Sequence, residues 1–293
     1  MADWILDGTA AAVLPIADRG LQYGDGLFET IAVRNGMPRF LDRHTARLAA
    51  GLEALGFAAQ PGGLLASDGA SDVAGDLVSD VADEVARVAA GRDAGVAKVI
   101  VTRGSAARGY RPPGMPQLRR LVGSFPSTPP PRHYYVDGVE LRVCSTPASS
   151  NPVTAGHKTL CRLDQVLARA EWDDPDIAEG LMLDASGYIV GGTMSNFFCV
   201  RNDCLLTPAL DRCGIAGIMR AVVLAEAATA GLATQLADLP LDELLDDDEL
   251  FLTNSQFGIW PVRSLAGRSR RVGPRTRSLM LRLAAIGVEE CSP

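Results

Sequence analysis

Residues 151–171 read Asn151-Pro-Val-Thr-Ala-Gly-His-Lys158-Thr-Leu-Cys-Arg-Leu-Asp-Gln-Val-Leu-Ala-Arg-Ala-Glu171. Lys158 is one of only two lysines in a chain that otherwise uses arginine for its cations, and the other is Lys98. A lysine amine can lose its proton and form a Schiff base, whereas a guanidinium cannot. The retained lysine therefore points to covalent chemistry, with an ordinary surface lysine at the start of a helix as the alternative.

The residues after Lys158 have the spacing of an amphipathic helix, which we predict from Leu160 onward. Polar side chains such as Arg162 and Asp164 fall on the opposite side from the apolar ones. The apolar positions recur at three- and four-residue steps, and they are Leu160, Leu163, Val166, Leu167 and Ala170.

The length and charge of the chain exclude several classes of protein. A chain of 293 residues has room for two domains or one large one. Its net charge of −7 argues against nucleic-acid binding. No apolar run reaches the roughly 18 residues that a membrane helix requires. The first residues lack the basic and apolar regions of a signal peptide. We therefore predict a cytoplasmic protein.

The cysteines and histidines do not have the spacing of a metal site, so we expect no bound metal. A cytoplasmic setting keeps thiols reduced, and free cysteine packs as a small apolar residue. We therefore expect reduced, mostly buried cysteines. The six cysteines are Cys144, Cys161, Cys199, Cys204, Cys213 and Cys291, and the three histidines are His44, His133 and His157.

The N-terminal part of the chain alternates strand and helix patterns. Three glycines between Gly20 and Gly26 indicate backbone in special conformations, or backbone closely approached by another segment. Asp42 is predicted to cap a helix. The apolar positions of that helix are Ala46, Leu48, Leu52, Leu55 and Gly56. The other predicted elements are a strand at 28–34, a hairpin at Asn35-Gly36, a mobile loop at 60–75, a helix at 76–91, and strands at 97–102 and 118–124.

A proline-rich segment, Phe125-Pro-Ser-Thr-Pro-Pro-Pro-Arg132, predicts an extended connector between domains. We therefore expect an α+β protein with a smaller N-terminal domain at 1–124, a linker at 125–135 and a larger C-terminal domain at 136–293. In this division the larger domain carries Lys158. Its predicted elements are a strand at 139–144, hairpins at 180–190 and 196–208, a helix from the Gly214 turn to about 230, a strand at 249–253 and a final helix at 274–286.

The turn Gly214-Ile-Ala-Gly217-Ile-Met-Arg220 leads into a helix, whose N-terminal amides and dipole favour an anion such as phosphate. This signal is weak alone, because many helices begin after glycine. Ser255, at the end of a predicted strand, has a hydroxyl for the same anion, and Arg47 has a charge for it. A Schiff-base lysine with a phosphate site is the combination that a pyridoxal phosphate enzyme requires.

Several motifs together make the chain resemble the fold-type IV pyridoxal phosphate enzymes, and among them the aminodeoxychorismate lyases. The similarity covers nearly the whole chain. The motifs are Asp18-Arg19-Gly20-Leu-Gln-Tyr-Gly-Asp-Gly-Leu-Phe28, His44-x-x-Arg47-Leu48, Arg103-Gly-x-x-x-Arg108-Gly-Tyr110, Lys158-x-x-x-Arg162-Leu-Asp-Gln-Val, Thr193-Met-Ser-Asn196-Phe-Phe and Gly217-Ile-Met-Arg220.

The resemblance implies a role for each of these regions. Lys158 would hold the cofactor and move protons, and the cofactor would lie at the domain cleft of a homodimer. Arg108 and Tyr110 would meet the carboxylates of the substrate, although a solvated loop arginine is the alternative for Arg108. The phosphate would be bound by Arg47, by the backbone of Ile218 and Met219, and by Ser255. Ile215 would pack on the pyridine face. The substrate would also contact Tyr23, Phe28 and Thr30.

The implied reaction converts 4-amino-4-deoxychorismate to 4-aminobenzoate and pyruvate on the folate route. One departure stands out, because Gly191 occupies the position where the family usually has a glutamate against the pyridine nitrogen. A weaker electron sink would follow. Two alternatives stay open: an aminotransferase for D- or branched-chain amino acids, which would share every cofactor residue, and a homologue that binds the cofactor with impaired catalysis, for which Gly191 is the evidence.

Overall fold

The computed structural model describes residues 3–10, 13–57 and 73–292. The chain divides into two compact units. The first comprises Met1–Thr128 with His157–Cys161, and the second comprises Pro129–Gly156 with Arg162–Pro293. Lys158 is thus grouped with the first unit, whereas the sequence had suggested the C-terminal domain. The predicted linker at 125–135 is also shortened, because a strand continues to Pro126 and a helix begins at Arg132.

The first unit contains a six-stranded antiparallel sheet in the order β2-β1-β6-β5-β3-β4. Strand β5 alternates buried and half-buried residues, as expected where one face of a sheet packs on a core. Asn35 and Gly36 both have positive φ and form the predicted hairpin turn. The strands are β1 (Asp3–Leu6), β2 (Thr9–Ala10), β3 (Gly26–Arg34), β4 (Met37–Pro38), β5 (Ala94–Thr102) and β6 (Arg119–Pro126).

The helices of the first unit are α1 (Arg19–Tyr23), α2 (Leu41–Ala54) and α3 (Val73–Ala89). The predicted cap at Asp42 is wrong, because α2 begins at Leu41 and Asp42 lies in its first turn. An acidic side chain there still favours the positive end of the helix dipole.

The buried face of α2 differs in part from the predicted one. Leu48 and Leu52 are buried as predicted, whereas Ala46 and Gly56 are exposed. His44 is buried in their place, since a buried carboxylate of β3 bonds to it. The predicted loop at 60–75 falls largely outside the described residues, and its last three residues belong to α3.

The second unit contains a nine-stranded mixed sheet in the order β12-β11-β10-β13-β14-β7-β8-β9, with β15 paired to β14. The predicted hairpins correspond to β8/β9 and β10/β11. The strands are β7 (Val139–Val143), β8 (Ile177–Leu183), β9 (Ile189–Gly192), β10 (Asn196–Arg201), β11 (Cys204–Thr207), β12 (Ala233–Leu236), β13 (Glu249–Asn254), β14 (Gly258–Leu265) and β15 (Arg268–Ser269).

Four helices accompany this sheet. They are α4 (Arg132–Val136), α5 (Leu163–Arg169), α6 (Ile218–Thr229) and α7 (Pro274–Ala285). Helices α6 and α7 match the predicted helices closely. Across the described residues, none of the helices combines the length and apolarity needed to cross a membrane. All six cysteines are free thiols, and four of them are buried, which confirms the prediction of mostly buried cysteines.

Helix α5 departs from its prediction in two ways. It begins at Leu163 rather than Leu160, and its apolar stripe is exposed. Leu163 is 67% exposed, Val166 is 61% exposed and Leu167 is 52% exposed. Helix α5 instead packs on β8 and buries only Ala168, because that small side chain allows close approach.

Candidate active site

The segment that contains Lys158 lies along the start of β3 in the first unit. The amide of Phe28 donates to the carbonyl of Lys158 at 2.9 Å, and the amide of Leu160 donates to the carbonyl of Gly26 at 2.9 Å. A Cβ atom at Gly26 would lie 2.6 Å from Leu160 Cδ1, and one at Gly24 would lie 2.7 Å from Cys161 Sγ. These glycines are therefore required by close approach, which confirms that interpretation of the glycine-rich segment.

Both lysines of the chain lie against one aromatic ring. Lys158 Nζ is 4.1 Å from the centroid of the Phe28 ring, and Lys98 Nζ is 3.7 Å from it. Contacts of this kind stabilise the ammonium form. Burial nevertheless lowers the pKa of Lys98, against the opposing charge of Glu29. The scarcity of lysine applies to Lys98 as much as to Lys158, but no motif in the sequence gives Lys98 a role.

Arg47 belongs to a buried cluster with Glu29 of β3 and His44 of α2. Arg47 Nε donates to Glu29 Oε1 at 2.8 Å, and Arg47 Nη2 donates to Glu29 Oε2 at 2.5 Å. His44 Nδ1 lies 2.6 Å from Glu29 Oε2. The spacing of three residues between His44 and Arg47 puts both on one face of α2. The two-point bond to Glu29 holds the Arg47 guanidinium in a defined plane.

The ionisation of this cluster follows from its burial and its hydrogen bonds. Burial alone raises the pKa of Glu29, but the bonds from His44 and Arg47 outweigh it and lower that pKa to about 2. Burial lowers the pKa of His44 despite the opposing effect of Glu29. A neutral His44 that donates from Nδ1 keeps its acceptor at Nε2, and this buried atom has no hydrogen-bond partner among the described residues. Glu29 has no signal in the sequence that predicts this role, and His44 is recognisable there only as part of a motif.

The predicted substrate-binding residues lie in the same unit. The Tyr23 and Tyr110 rings are in contact, with centroids 5.4 Å apart. Thr30 pairs with Lys98 across β3 and β5. Arg108 and Tyr110 project from an irregular loop and are exposed.

In the second unit, helix α6 begins without a side-chain cap. Its N-cap residue is Gly217, where a Cβ atom would lie 2.0 Å from Asn196 Oδ1. The amide group of that asparagine also donates to the carbonyl of Ile215 at 2.8 Å. The side chains of Ile218 and Met219 are buried, so these residues can offer an anion only their backbone N–H groups. Such an uncapped helix start fits a phosphate.

Ser255 lies in the turn that follows β13. The preceding Asn254 shapes this turn, because its Oδ1 atom accepts from the amides of Gln256 and Phe257 at 2.9 and 3.1 Å. The Ser255 side chain is half-buried. A hydroxyl held on an ordered turn can donate to an anion.

Gly191 lies in β9, next to the bend at 193–195 that surrounds the buried carboxylate of Glu179. Glu179 Oε1 accepts from Thr193 Oγ1 at 2.6 Å and from two backbone amides, while Oε2 accepts from Ser195 Oγ at 3.0 Å and from the amide of Met194 at 3.1 Å. Burial raises the pKa of Glu179, and these hydrogen bonds offset only part of that effect. A Cβ atom at Gly191 would lie 2.7 Å from the carbonyl oxygen of Ser195.

Known proteins resemble this chain over almost its whole length. An aminodeoxychorismate lyase from Vibrio harveyi is 32% identical, with 94% of this chain and 97% of that protein covered. The crystal structure of 4-amino-4-deoxychorismate lyase from Pseudomonas aeruginosa has a TM-score of 0.87 at 43% identity and covers 97% of this chain and 99% of the other. A D-alanine aminotransferase from Bacillus licheniformis is 27% identical over 92% of this chain and 89% of its own length.

The family model for amino-transferase class IV matches residues 26–265. This range begins at β3 and ends at the last residue of β14, so it takes in Lys158, Arg47 and the start of α6. The chain therefore belongs to the amino-transferase class IV family.

Proposed function

We propose that this protein is an aminodeoxychorismate lyase, which converts 4-amino-4-deoxychorismate to 4-aminobenzoate and pyruvate for folate synthesis. The observation that carries the proposal is the near full-length similarity to lyases of that name, at 43% identity to the Pseudomonas structure. The aminotransferase relative is more distant, at 27% identity.

Enzymes of this family use pyridoxal phosphate, and the residues of each unit fit that cofactor. Lys158 would hold it through its amine. The amides of Ile218 and Met219 at the uncapped start of α6 and the Ser255 hydroxyl would bind the phosphate. Arg47 would contribute a charge, and Glu29 would keep its guanidinium in position. Ile215 would pack on the pyridine face.

Pyridoxal phosphate supplies an electron-withdrawing ring that stabilises negative charge next to a bound amine. Lys158 would hold the cofactor and would accept the proton from the ring carbon that bears the substrate amine. The C–O bond at the neighbouring carbon would break, and the enolpyruvate would leave with its oxygen and take up a proton to become pyruvate, while the substrate ring becomes aromatic. Arg108 and Tyr110, with Tyr23, Phe28 and Thr30 nearby in the first unit, would bind the substrate.

The alternative function is transamination, which would use the same cofactor residues. It requires reprotonation at a cofactor carbon and therefore depends more strongly on a protonated pyridine nitrogen than the lyase reaction, which ends in an aromatic ring. Gly191 has no side chain to keep that proton, so we expect lyase activity with negligible transamination of alanine or branched-chain amino acids. A third possibility is cofactor binding with impaired catalysis.

One experiment separates the three functions. The purified protein with its cofactor is incubated with aminodeoxychorismate, and 4-aminobenzoate is followed by its fluorescence while pyruvate is measured in parallel. Equal amounts of both products support the lyase. Efficient transamination without 4-aminobenzoate would establish the aminotransferase, and neither activity with bound cofactor would favour the impaired homologue.

We also propose that the protein is a homodimer. The exposed stripe of α5, formed by Leu163, Val166 and Leu167, supports this proposal, because three large apolar side chains in a row are costly to leave in water. A cytoplasmic location stays a prediction, consistent with six free thiols.

A further inference from the structure

Arg19 is a buried arginine whose guanidinium group binds the backbone of a distant loop. Its side chain is largely enclosed, and the residue is only 4% exposed. Nη1 donates to the carbonyls of Gly109 at 2.9 Å and Arg111 at 3.5 Å, and Nη2 donates to the carbonyl of Tyr110 at 2.9 Å. One side chain therefore contacts three consecutive carbonyls of the loop that contains Arg108.

The other edge of the Arg19 guanidinium is held by Asp25. Arg19 Nε donates to Asp25 Oδ2 at 2.7 Å. The same carboxylate accepts from Arg103 Nε at 3.0 Å, and Arg103 donates in turn to the carbonyls of Leu55 and Gly56. Because a guanidinium is planar and its donors have fixed directions, this anchoring determines where its remaining donors point.

Another hydrogen bond to this loop is longer, since the amide of Gly109 donates to the Tyr23 hydroxyl oxygen at 3.5 Å. Residues 106–118 form no regular secondary structure, and Tyr110 is 84% exposed. Its ring contacts Tyr23, whose ring also lies 5.1 Å from the Arg19 guanidinium carbon. A binding loop ordered before the ligand arrives loses less conformational entropy on binding.

We propose that Arg19 is a positioning residue for substrate binding: it fixes the backbone at 109–111 so that the Arg108 and Tyr110 side chains are presented to the carboxylates of the substrate. The inference rests on the proposed function, which gives Arg108 and Tyr110 that role. Arg19 itself does not touch the substrate. Its guanidinium contacts four acceptors, three backbone carbonyls and Asp25, whereas a lysine ammonium has only three donors at a single point.

The first test measures the loop directly. Hydrogen exchange of the cofactor-loaded protein is compared between wild type and Arg19→Met, and exchange in segment 106–115 should become at least about tenfold faster in the variant. Arg120→Met is the matched control, since Arg120 is also partly buried in the first unit but bonds to Glu84 and Asp80. It should leave exchange in this segment unchanged.

The second test measures the consequence for the substrate. Arg19→Met should raise KM for aminodeoxychorismate by about tenfold and change kcat by less than about threefold, since the loop acts in binding. Arg108→Ala should lower kcat/KM by about 30- to 1,000-fold, as expected for a lost charged hydrogen bond. The Arg19→Met/Arg108→Ala double variant should lose less than the two single losses combined, because part of the Arg19 effect acts through Arg108. The visible cofactor band should be retained in all three.

The outcomes separate this inference from the proposed function. Unchanged exchange in Arg19→Met, or an unchanged KM despite faster exchange, would overturn the positioning role. An additive loss in the double variant would do the same. If Arg108→Ala keeps wild-type kinetics, Arg108 is not part of the site and this inference fails. Production of 4-aminobenzoate by the wild type would still support the proposed function. If Arg19→Met does not fold, Arg19→Lys keeps the charge beside Asp25 without the three carbonyl bonds and should reproduce the KM increase.

Discussion

At Phe28, a single aromatic ring contacts both lysines of the chain, and this determines how the role of Lys158 is best tested. We predict that Lys158→Ala loses the covalent link to pyridoxal phosphate and the visible absorbance band that it produces. In the wild type, borohydride reduction followed by peptide mapping should find the cofactor on Lys158. We expect activity to fall by at least about a thousandfold, because the amine both holds the cofactor and moves the proton.

Lys98 is the demanding control for that experiment. Its amine contacts the same ring and has a lowered pKa through burial, so it has the chemical character of a competing nucleophile. Lys98→Arg should keep the absorbance band and the labelled Lys158 peptide. Reduction that places the cofactor on Lys98 in the wild-type protein would refute the assignment of Lys158.

The Glu29 carboxylate predicts a specific loss of stability in acid. Its pKa falls from the ordinary 4.5 to about 2 in the folded chain, so its contribution is present above pH 4.5 and is lost as the pH falls from 4.5 towards 2. The shift corresponds to about 3 kcal/mol of unfolding free energy. Urea unfolding between pH 6 and pH 3 should show this loss in wild type and a flatter dependence in Glu29→Gln. Parallel pH profiles for the two proteins would contradict the prediction.

At the level of residues, the sequence identified the positions whose type is unusual. The scarcity of lysine indicated Lys158, and the density of glycine indicated that another segment approaches closely, as Cys161 and Leu160 do. It did not identify Glu29 or Arg19 as anchors, because Arg47 lies 18 positions from Glu29 and the loop carbonyls lie 90 to 92 positions from Arg19, and such distant contacts leave no local pattern.

Among the elements, the end of β9 determines what a side chain at Gly191 would meet. The sequence suggests that Gly191→Glu would restore an acid beside the pyridine nitrogen, provided that the side chain fits. The new Cβ atom would lie 2.7 Å from the carbonyl oxygen of Ser195, whose hydroxyl bonds to the Glu179 carboxylate. Any side chain at this position therefore requires the backbone to move.

We predict that Gly191→Glu lowers both lyase activity and thermal stability instead of increasing transamination. The destabilisation should be about 1–3 kcal/mol, as for other overpacked sites. Gly191→Ala is the control, since it adds the same Cβ atom without the acid. The melting temperatures of the two variants should fall by similar amounts. A stable Gly191→Glu protein with new transaminase activity would instead favour the restored-acid hypothesis.

Helices α2 and α5 show where the periodicity of apolar residues predicts the buried face of a helix and where it does not. In α2, Leu48 and Leu52 lie on the predicted buried face. Nearer the start of the helix the buried residue is His44, which packs inward because Glu29 accepts its hydrogen bond. In α5 the periodicity was real, yet the apolar stripe faces away from its own unit.

For the whole molecule, local hairpins were predictable and distant strand pairings were not. Asn35-Gly36 and Asn202-Asp203 gave the β3/β4 and β10/β11 hairpins, because such residues tolerate the positive φ that these turns require. The pairing of β1 with β6 and of β7 with β14 joins distant segments, which no local signal specifies. Strand β14 was missed because Pro261 argues against a central strand.

The exposed stripe of α5 carries the last prediction, which concerns assembly. A helix whose apolar residues repeat at helical spacing usually buries that face, and within its own unit α5 buries Ala168 instead. A second copy of the chain would cover Leu163, Val166 and Leu167, and burial of each such side chain contributes roughly 1.5–3 kcal/mol. We therefore expect a dimer by light scattering at micromolar concentration.

The test is Val166→Glu, which places a charge in the middle of the stripe and should shift the mass towards that of a single chain. Leu281→Glu on α7 is the matched control, since Leu281 is also an exposed leucine on a helix of the second unit, and it should leave the mass unchanged. If the wild type is a single chain, or if Val166→Glu remains a dimer while Leu281→Glu dissociates, then α5 does not form the interface. The unchanged far-ultraviolet circular dichroism of both variants would show that the charge acts on assembly rather than on folding.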